Sequence, residues 1–160
     1  MRVTVLGAGS WGTTVAALMC RRDHEVLLWA RNPDVAGEVD RQRTNEAYLP
    51  GARLPARLRA TSDLERAARH AELLVVGVPT GAFRDTLTLA RPHLAPWIPV
   101  VSLSKGLERG THLRMTAVVK EVLPGRPAAA LTGPNLAREV LAGQAAASVI
   151  ATEDLAVAAA

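Results

Sequence analysis

The chain has 160 residues, of which 49% are hydrophobic and 3% aromatic, and its formal net charge is +4. This length fits one domain of ordinary size, and the apolar fraction excludes a disordered tail. No apolar run is long enough for a membrane span, and the single Cys20 excludes an internal disulfide and a cysteine-based zinc site. No basic run is interleaved with aromatic residues, so nucleic acid is not a predicted partner. The N-terminus lacks the pattern of a secretory signal, which predicts a cytoplasmic protein without membrane insertion.

Hydrophobic spacing predicts alternating strands and helices along the chain. In chain order these are a strand at 2–6, a helix at 11–22, a strand at 25–30, a helix at 33–43, a loop at 45–55, a helix at 63–70, a strand at 72–78, a helix at 80–89, a strand at 98–103, a helix at 113–123, a strand at 128–131, a helix at 135–142 and a strand at 146–151. Asn32 or Pro33 is expected at the start of the second helix, Ser62 is predicted as the N-cap of the third, and Asn135 as the N-cap of the sixth. A further helix is predicted from Glu153 onward, and the chain is expected to end arbitrarily inside a longer protein.

A series of strands and helices of this kind predicts one α/β domain over residues 1–160. The six predicted strands would form a Rossmann-type, doubly wound and mostly parallel sheet with helices on both faces. Ligands of such sheets bind in the crevice outside the carboxyl ends of the strands. The residues that follow each strand are therefore the candidates for function.

The first strand runs directly into a glycine-rich segment with the spacing G-x-G-x-x-G, made by Gly7, Gly9 and Gly12. In a dinucleotide site the first glycine makes the tight turn, the second lets a pyrophosphate approach the backbone, and the third lets the helix pack on the strand. The N-terminus of the following helix offers unpaired N–H groups to the phosphates, and Trp11 would lie beside the cofactor. The segment predicts a dinucleotide site, with an ordinary glycine-rich turn as the alternative.

The end of the second strand indicates which dinucleotide is bound. NAD-preferring sites usually place an Asp or Glu there for the ribose 2′-hydroxyl, whereas this chain has Arg31 followed by Asn32. Asp34 is expected in the first turn of the following helix, away from the ribose. Because an arginine can make charge-assisted hydrogen bonds to a 2′-phosphate, the sequence favours NADP(H), with NAD(H) as the alternative. A solvated surface role for Arg31 stays open.

Three later strand ends carry further candidates for the crevice. Pro79 ends the strand at 72–78, and it either shapes the crevice or only terminates the strand. Lys105 follows the next strand and suits a phosphate or a polarised carbonyl oxygen, with an ordinary surface lysine as the alternative. Gly133 and Asn135 follow the strand after that. Gly133 would let a ligand approach the backbone closely, and the helix capped by Asn135 would offer its N–H groups to an anion. The alternative is a capped helix that holds no ligand.

The histidines are scattered along the chain. None of His24, His70, His93 and His112 stands at metal-ligand spacing from a cysteine or a carboxylate. The sequence therefore predicts no metal site, and it assigns no catalytic histidine.

Several blocks of the sequence together resemble the N-terminal, dinucleotide-binding half of the NAD(P)-dependent glycerol-3-phosphate dehydrogenases. They occur in the order that the family shows and extend over nearly the whole chain. The blocks are GAGSWGT at 7–13, WAR at 29–31, NEAYLP at 45–50, LP at 54–55, GVPT at 77–80, FR at 83–84, SKG at 104–106 and GPNLARE at 133–139. As a set they are far more specific than the glycine segment alone.

The resemblance implies reversible hydride transfer from NADPH or NADH to dihydroxyacetone phosphate, giving sn-glycerol 3-phosphate, which in bacteria supplies glycerophospholipid synthesis. It implies a phosphorylated triose as the small-molecule partner and a homodimer for the full-length enzyme. The family's cofactor positions match Ser10, Trp11, Arg31, Asn32, Tyr48, Lys105 and Ala137. The family's substrate positions match Lys105, Gly133 and Asn135.

This chain departs from the family pattern in two respects. Bacterial members usually have Ser or Thr at the position of Asn135, and an asparagine can still donate and accept hydrogen bonds there. Family members are also longer, and their helical C-terminal domain supplies the lysine that acts as general acid and base. No catalytic acid–base residue is therefore assigned in this chain, which is expected to bind cofactor without turnover.

Two other functions stay open at this point. One is a different dehydrogenase with the same Rossmann-plus-helical-domain plan, acting on another hydroxy acid or on ketopantoate. The blocks at 45–50 and 104–106 argue against it. The other is a stand-alone NADP-binding module that senses or regulates without performing chemistry.

Overall fold

The computed structural model describes residues 1–154. Its strands are β1 Arg2–Leu6, β2 Glu25–Trp29, β3 Arg59–Thr61, β4 Leu73–Val76, β5 Val100–Ser102, β6 Ala128–Thr132 and β7 Val149–Thr152. Its helices are α1 Ser10–Arg21, α2 Pro33–Gln42, α3 Leu64–His70, α4 Thr80–Ala90, α5 Met115–Val122 and α6 Ala137–Leu141, with a 3₁₀ turn at Arg91–His93. The predicted alternation of strands and helices is confirmed.

Within residues 1–154, seven strands form one sheet in the order β3-β2-β1-β4-β5-β6-β7. The strands from β1 to β6 are parallel, and β7 is antiparallel to β6. The chain adds β2 and β3 on one side of β1 and then crosses to add β4 on the other side. A crevice opens at the carboxyl ends of the strands where the order reverses, between β1 and β4. The fold is therefore of the doubly wound Rossmann type, as predicted.

The central strand β1 contributes to both layers of the core. Val3 and Val5 are fully buried in the layer that also contains apolar residues of α1 and α2. Leu6 is fully buried in the opposite layer, with apolar residues of α3, α4 and α5. This alternation follows from the pleat, which directs successive side chains to opposite faces of the sheet. Helices thus cover both faces and leave the carboxyl ends of the strands as the place for a site.

The sheet has one strand more than the sequence analysis predicted. β3 has three residues, with Arg59 exposed, and it pairs in parallel with β2. Asp40 of α2 supports it, since its carboxylate accepts a hydrogen bond from the Ala60 N–H at 3.0 Å and pairs with the Arg59 guanidinium at 2.8 Å. So short a segment carries no hydrophobic period, and its position depends on contacts with residues far away in the sequence.

The predicted N-cap of α3 is wrong, whereas the predicted start of α2 at Asn32 or Pro33 is confirmed. The carboxylate of Asp63, not the hydroxyl of Ser62, accepts a hydrogen bond from the Arg66 N–H at 3.0 Å. At α2 the Asn32 side chain accepts from the Asp34 N–H at 2.8 Å, which places Asp34 in the first helical turn.

The C-terminal part also departs from the prediction. Helix α6 begins at Ala137, so Asn135 lies before the cap position and is not the N-cap. The last predicted strand begins three residues later than expected, at Val149. Residues 153 and 154 are not helical, and the rest of the helix predicted from Glu153, at 155–160, lies outside the described residues. None of the helices in the described part is both long and apolar enough to cross a membrane.

Candidate functional site

The glycine segment after β1 is tightly packed at two of its three glycines. Gly7 has a φ of 113°, and a Cβ there would lie 2.8 Å from backbone atoms of Gly77, which follows β4. A Cβ on Gly12 would overlap the carbonyl oxygen of Gly7. A Cβ on Gly9 would meet no atom within 4 Å, because that position faces open space. Close packing of the helix on the strand beside one open backbone position is the arrangement that admits a pyrophosphate.

Helix α1 begins at Ser10, within this segment, without a side-chain cap. Gly9 is its N-cap residue, and no side chain makes a capping hydrogen bond there. The first turn contains no acidic residue. The N–H groups of this turn and the positive end of the helix dipole are thus left for an anion, which fits a phosphate group.

A cleft of about 450 Å³ opens above the glycine segment, at the carboxyl ends of β1, β2 and β4. It brings together most of the residues that the sequence assigned to the cofactor: Gly7, Gly9, Ser10, Trp11, Gly12, Arg31, Asn32, Tyr48, Pro79 and Lys105. The sequence analysis missed other residues that line the cleft, among them Trp29, Val35, Gly77, Thr86 and Ser104. Trp29, Gly77 and Ser104 stand in matched blocks but were assigned no role, whereas Val35 and Thr86 carry no pattern that sets them apart from other helix residues.

A second cavity of about 380 Å³ adjoins the cleft and holds the remaining predicted residues. It is lined by Gly133, Asn135 and Ala137 together with Ser10, Trp11, Leu103 and Lys105, and these last four also line the cleft. The two spaces are therefore continuous around Lys105 and the start of α1.

Polar groups converge in this second cavity. The Lys105 ammonium group donates a hydrogen bond to the Gly133 carbonyl oxygen at 3.2 Å. The Asn135 side-chain amide donates to the Ser148 hydroxyl at 2.9 Å, while its Oδ1 atom is buried and has no hydrogen-bond partner within residues 1–154. Ser148 belongs to no sequence motif. Its contact with Asn135 is visible only in the folded chain, where β7 pairs with β6. The Lys105 cation and the Gly133 carbonyl oxygen thus give this cavity a polar lining suited to a small polar molecule.

Arg31 lies at the end of the cleft formed by β2 and α2. Its side chain is exposed and lines the cleft, and the Asn32 Oδ1 atom beside it caps α2. Asp34 lies in the helical turn, and it is not among the residues that line the cleft. This edge therefore presents a cation where an acid would receive a ribose 2′-hydroxyl.

An ion-pair cluster holds the segment that follows Lys105. The Arg84 guanidinium of α4 donates to the Glu108 carboxylate at 2.8 and 2.9 Å and to Glu121 of α5 at 2.7 Å. The Thr111 hydroxyl also donates to Glu108, at 2.5 Å. Hydrogen bonds from Arg84, and then from Thr111, lower the pKa of Glu108 from 4.5 to about 2. The cluster ties both helices to the loop that carries Lys105.

Replacing Glu108 with glutamine is expected to flatten the acid dependence of stability. Since the pKa of Glu108 is depressed in the folded chain, its contribution is fully present above pH 4.5 and is lost as the pH falls toward 2. Thermal melts between pH 6 and about pH 2 should show a shallower decline for Glu108→Gln than for the unaltered chain. Asp85→Asn, a neutralised exposed acid on the same helix as Arg84, is the control, and an equal effect of both variants would contradict the special role of the Arg84 pair.

Fold and cleft define this chain as a domain of the Rossmann class with a dinucleotide-type crevice. A family model described as the N-terminus of NAD-dependent glycerol-3-phosphate dehydrogenase matches residues 2–158. The chain therefore belongs to the N-terminal domain family of the glycerol-3-phosphate dehydrogenases, as the sequence motifs predicted.

Individual relatives agree with this assignment. The chain is 50% identical to glycerol-3-phosphate dehydrogenase [NAD(P)+] 2 of Sphingopyxis alaskensis, over 96% of its own length and 46% of the relative's. It is 50% identical to glycerol-3-phosphate dehydrogenase [NAD(P)+] of Mycobacterium avium, over 96% and 45% of the two chains. The crystal structure of glycerol-3-phosphate dehydrogenase from Coxiella burnetii superposes with a TM-score of 0.91 at 32% identity, covering 97% of this chain and 47% of that one. The chain thus spans about half the length of the curated relatives it matches.

Proposed function

We propose that residues 1–160 are the cofactor-binding domain of a glycerol-3-phosphate dehydrogenase, which interconverts dihydroxyacetone phosphate and sn-glycerol 3-phosphate. NADP(H) is the proposed cofactor, with NAD(H) as the alternative. The observation that carries the proposal is the continuity of the dinucleotide-type cleft with the polar cavity around Lys105, Gly133 and Asn135. A cofactor in the first space would place its reactive end beside a small substrate in the second. Membership of this family disfavours a dehydrogenase that acts on ketopantoate or another hydroxy acid.

Different residues of the cleft bind different parts of the cofactor in this proposal. The open backbone at Gly9 and the first turn of α1 receive the pyrophosphate, and Arg31 receives the 2′-phosphate. Trp11 and Pro79 line the walls of the cleft. When bound, the nicotinamide supplies a hydride for the C2 carbonyl carbon of dihydroxyacetone phosphate.

The polar cavity would orient the substrate. A lysine ammonium group has three donors, and Lys105 uses one of them on Gly133, so two are left for substrate oxygens. Asn135 lines the same cavity, and its side chain would contact a substrate hydroxyl. The general acid–base lysine belongs, in this proposal, to the helical domain of a longer, homodimeric and cytoplasmic enzyme whose product enters glycerophospholipid synthesis.

Calorimetric titration of the 160-residue chain with NADPH and NADH, at one fixed salt concentration, tests the cofactor site. We expect both to bind, and NADPH to bind about tenfold more tightly, because a charge-assisted hydrogen bond to the 2′-phosphate is worth about 1.5–3 kcal/mol. We also expect turnover of dihydroxyacetone phosphate to be lower by about 10²–10⁴-fold than in an enzyme with its acid–base group. Binding of neither dinucleotide would contradict the proposed site, and full turnover would contradict the assignment of acid–base chemistry to another domain.

The stand-alone module remains the second candidate, since it predicts the same binding without chemistry. Reading the coding sequence beyond Ala160 separates the two. A helical domain with a lysine supports the dehydrogenase, and a stop codon supports the module.

A further inference from the structure

Asn45 lies beneath the glycine segment, in the loop between α2 and β3. It is fully buried, which is unusual for an asparagine. Its side-chain amide donates one hydrogen bond to the Ala8 carbonyl oxygen at 3.0 Å and another to the Thr13 hydroxyl at 2.8 Å. These two contacts join the loop to both ends of the turn that leads from β1 into α1.

The contact with Ala8 fixes the orientation of one peptide unit. In a trans peptide the carbonyl and the N–H of the next residue point in opposite directions. The carbonyl of Ala8 points toward Asn45, so the N–H of Gly9 points away from it. Gly9 lines the cleft and has open space at its Cα. The peptide held by Asn45 therefore offers its N–H on the side where a pyrophosphate would lie.

The main chain of Asn45 positions a second wall of the cleft. Its carbonyl oxygen accepts hydrogen bonds from the N–H groups of Tyr48 at 3.1 Å and of Leu49 at 2.7 Å. Leu49 is fully buried and anchors this turn, while Tyr48 is half exposed and lines the cleft. One residue thus connects the phosphate-facing backbone with the aromatic side chain beside it.

Asn45 lowers the stability of the folded chain through one of its side-chain atoms. Its Oδ1 atom is buried and has no hydrogen-bond partner within the described residues. A buried acceptor without a partner lowers stability, whereas an apolar side chain of similar size would avoid the penalty. An apolar residue, however, lacks the two N–H donors that hold the Ala8 carbonyl oxygen and the Thr13 hydroxyl.

We propose that Asn45 is a positioning residue for the cofactor, which acts by orienting the Ala8–Gly9 peptide toward the pyrophosphate. This inference rests on the proposed function of the cleft. It predicts that Asn45 contributes to the affinity for ligands with a pyrophosphate and not for ligands that lack one.

The test compares two ligands on the 160-residue chain, with thermal melts alongside. NADPH carries the pyrophosphate, and adenosine 2′-monophosphate carries only the adenosine and the 2′-phosphate. Asn45→Ala is expected to weaken NADPH binding about tenfold and to leave the affinity for adenosine 2′-monophosphate unchanged. Thr13→Val removes only one of the two hydrogen bonds, so a loss of about threefold for NADPH is expected, and this variant serves if Asn45→Ala does not fold.

Thr4→Val is the matched control. Thr4 is equally buried in β1, and its hydroxyl contacts the Ala67 carbonyl oxygen and the His70 ring, on elements other than those of the cleft. It should lower the melting temperature without changing either affinity. Unchanged NADPH binding in folded Asn45 and Thr13 variants would overturn the inference. An equal loss for both ligands would also overturn it, since that result indicates only structural damage. Failure of the unaltered chain to bind either ligand would instead overturn the proposed cofactor site.

Discussion

Replacing Gly12 with alanine is expected to abolish detectable NADPH binding and to lower the melting temperature of the chain by about 2–10 °C. The new Cβ would overlap the Gly7 carbonyl oxygen, so α1 has to move away from β1. Overpacking of this kind costs about 1–3 kcal/mol, and it also displaces the helix N-terminus from the phosphate position. Calorimetry and thermal melts on the same sample measure both effects.

Gly9 provides the comparison that separates binding from folding. Its φ of −69° and ψ of 177° suit any residue, and its Cβ would point into open space. Gly9→Ala should therefore keep the melting temperature while weakening NADPH binding at least about tenfold, because the methyl group occupies the path of the pyrophosphate. Gly81→Ala, at an exposed position in α4, is the control and should leave binding unchanged. Normal NADPH affinity in Gly9→Ala would refute the pyrophosphate assignment.

Replacing Arg31 with aspartate is expected to remove or reverse the preference between the two dinucleotides. NADPH affinity should fall about 10–100-fold, because the variant loses a hydrogen-bonded cation and gains a charge that repels the 2′-phosphate. NADH affinity should change by less than about threefold, since an aspartate at this edge can accept from the ribose 2′-hydroxyl. The ratio of the two dissociation constants, measured by titration at one salt concentration, is the decisive quantity.

Arg22→Asp makes the same change of charge at the C-cap of α1, the end of that helix away from the glycine segment. It tests whether any loss at Arg31 reflects the general field of a basic protein. An equal weakening of NADPH binding by both variants would remove Arg31 from the specificity site. Equal weakening of NADPH and NADH by Arg31→Asp would do the same.

Local signals made the central part of the molecule predictable. The apolar runs of β1, β2 and β4 and the spacing of Gly7, Gly9 and Gly12 depend on residues that are close together in the sequence. The common direction of parallel strands then brings their carboxyl ends to one edge. This is why the sequence alone could assign Arg31 and Lys105, which are far apart along the chain, to one crevice.

The features that escaped prediction depend on long-range contacts. β3 is held by pairing with β2 and by Asp40, and three residues give no period of their own. Asn135 has the side chain of a typical N-cap, yet its amide is turned toward Ser148 beside β7, and α6 begins two residues later. Asn45 stood within a matched block, but only the folded chain shows that it contacts the glycine segment.

The antiparallel direction of β7 has a practical consequence. The Thr152 hydroxyl at its end donates to the carbonyl of Ala128 at the start of β6, so the chain leaves the sheet at the amino ends of the parallel strands. Met1, just before β1, lies at the same edge, since its carbonyl accepts from the N–H of Glu25 at the start of β2. Met1 and Thr152 therefore both lie at the end of the strands opposite the cleft. A chain immobilised on a sensor surface through Met1 would present its cleft to the solution.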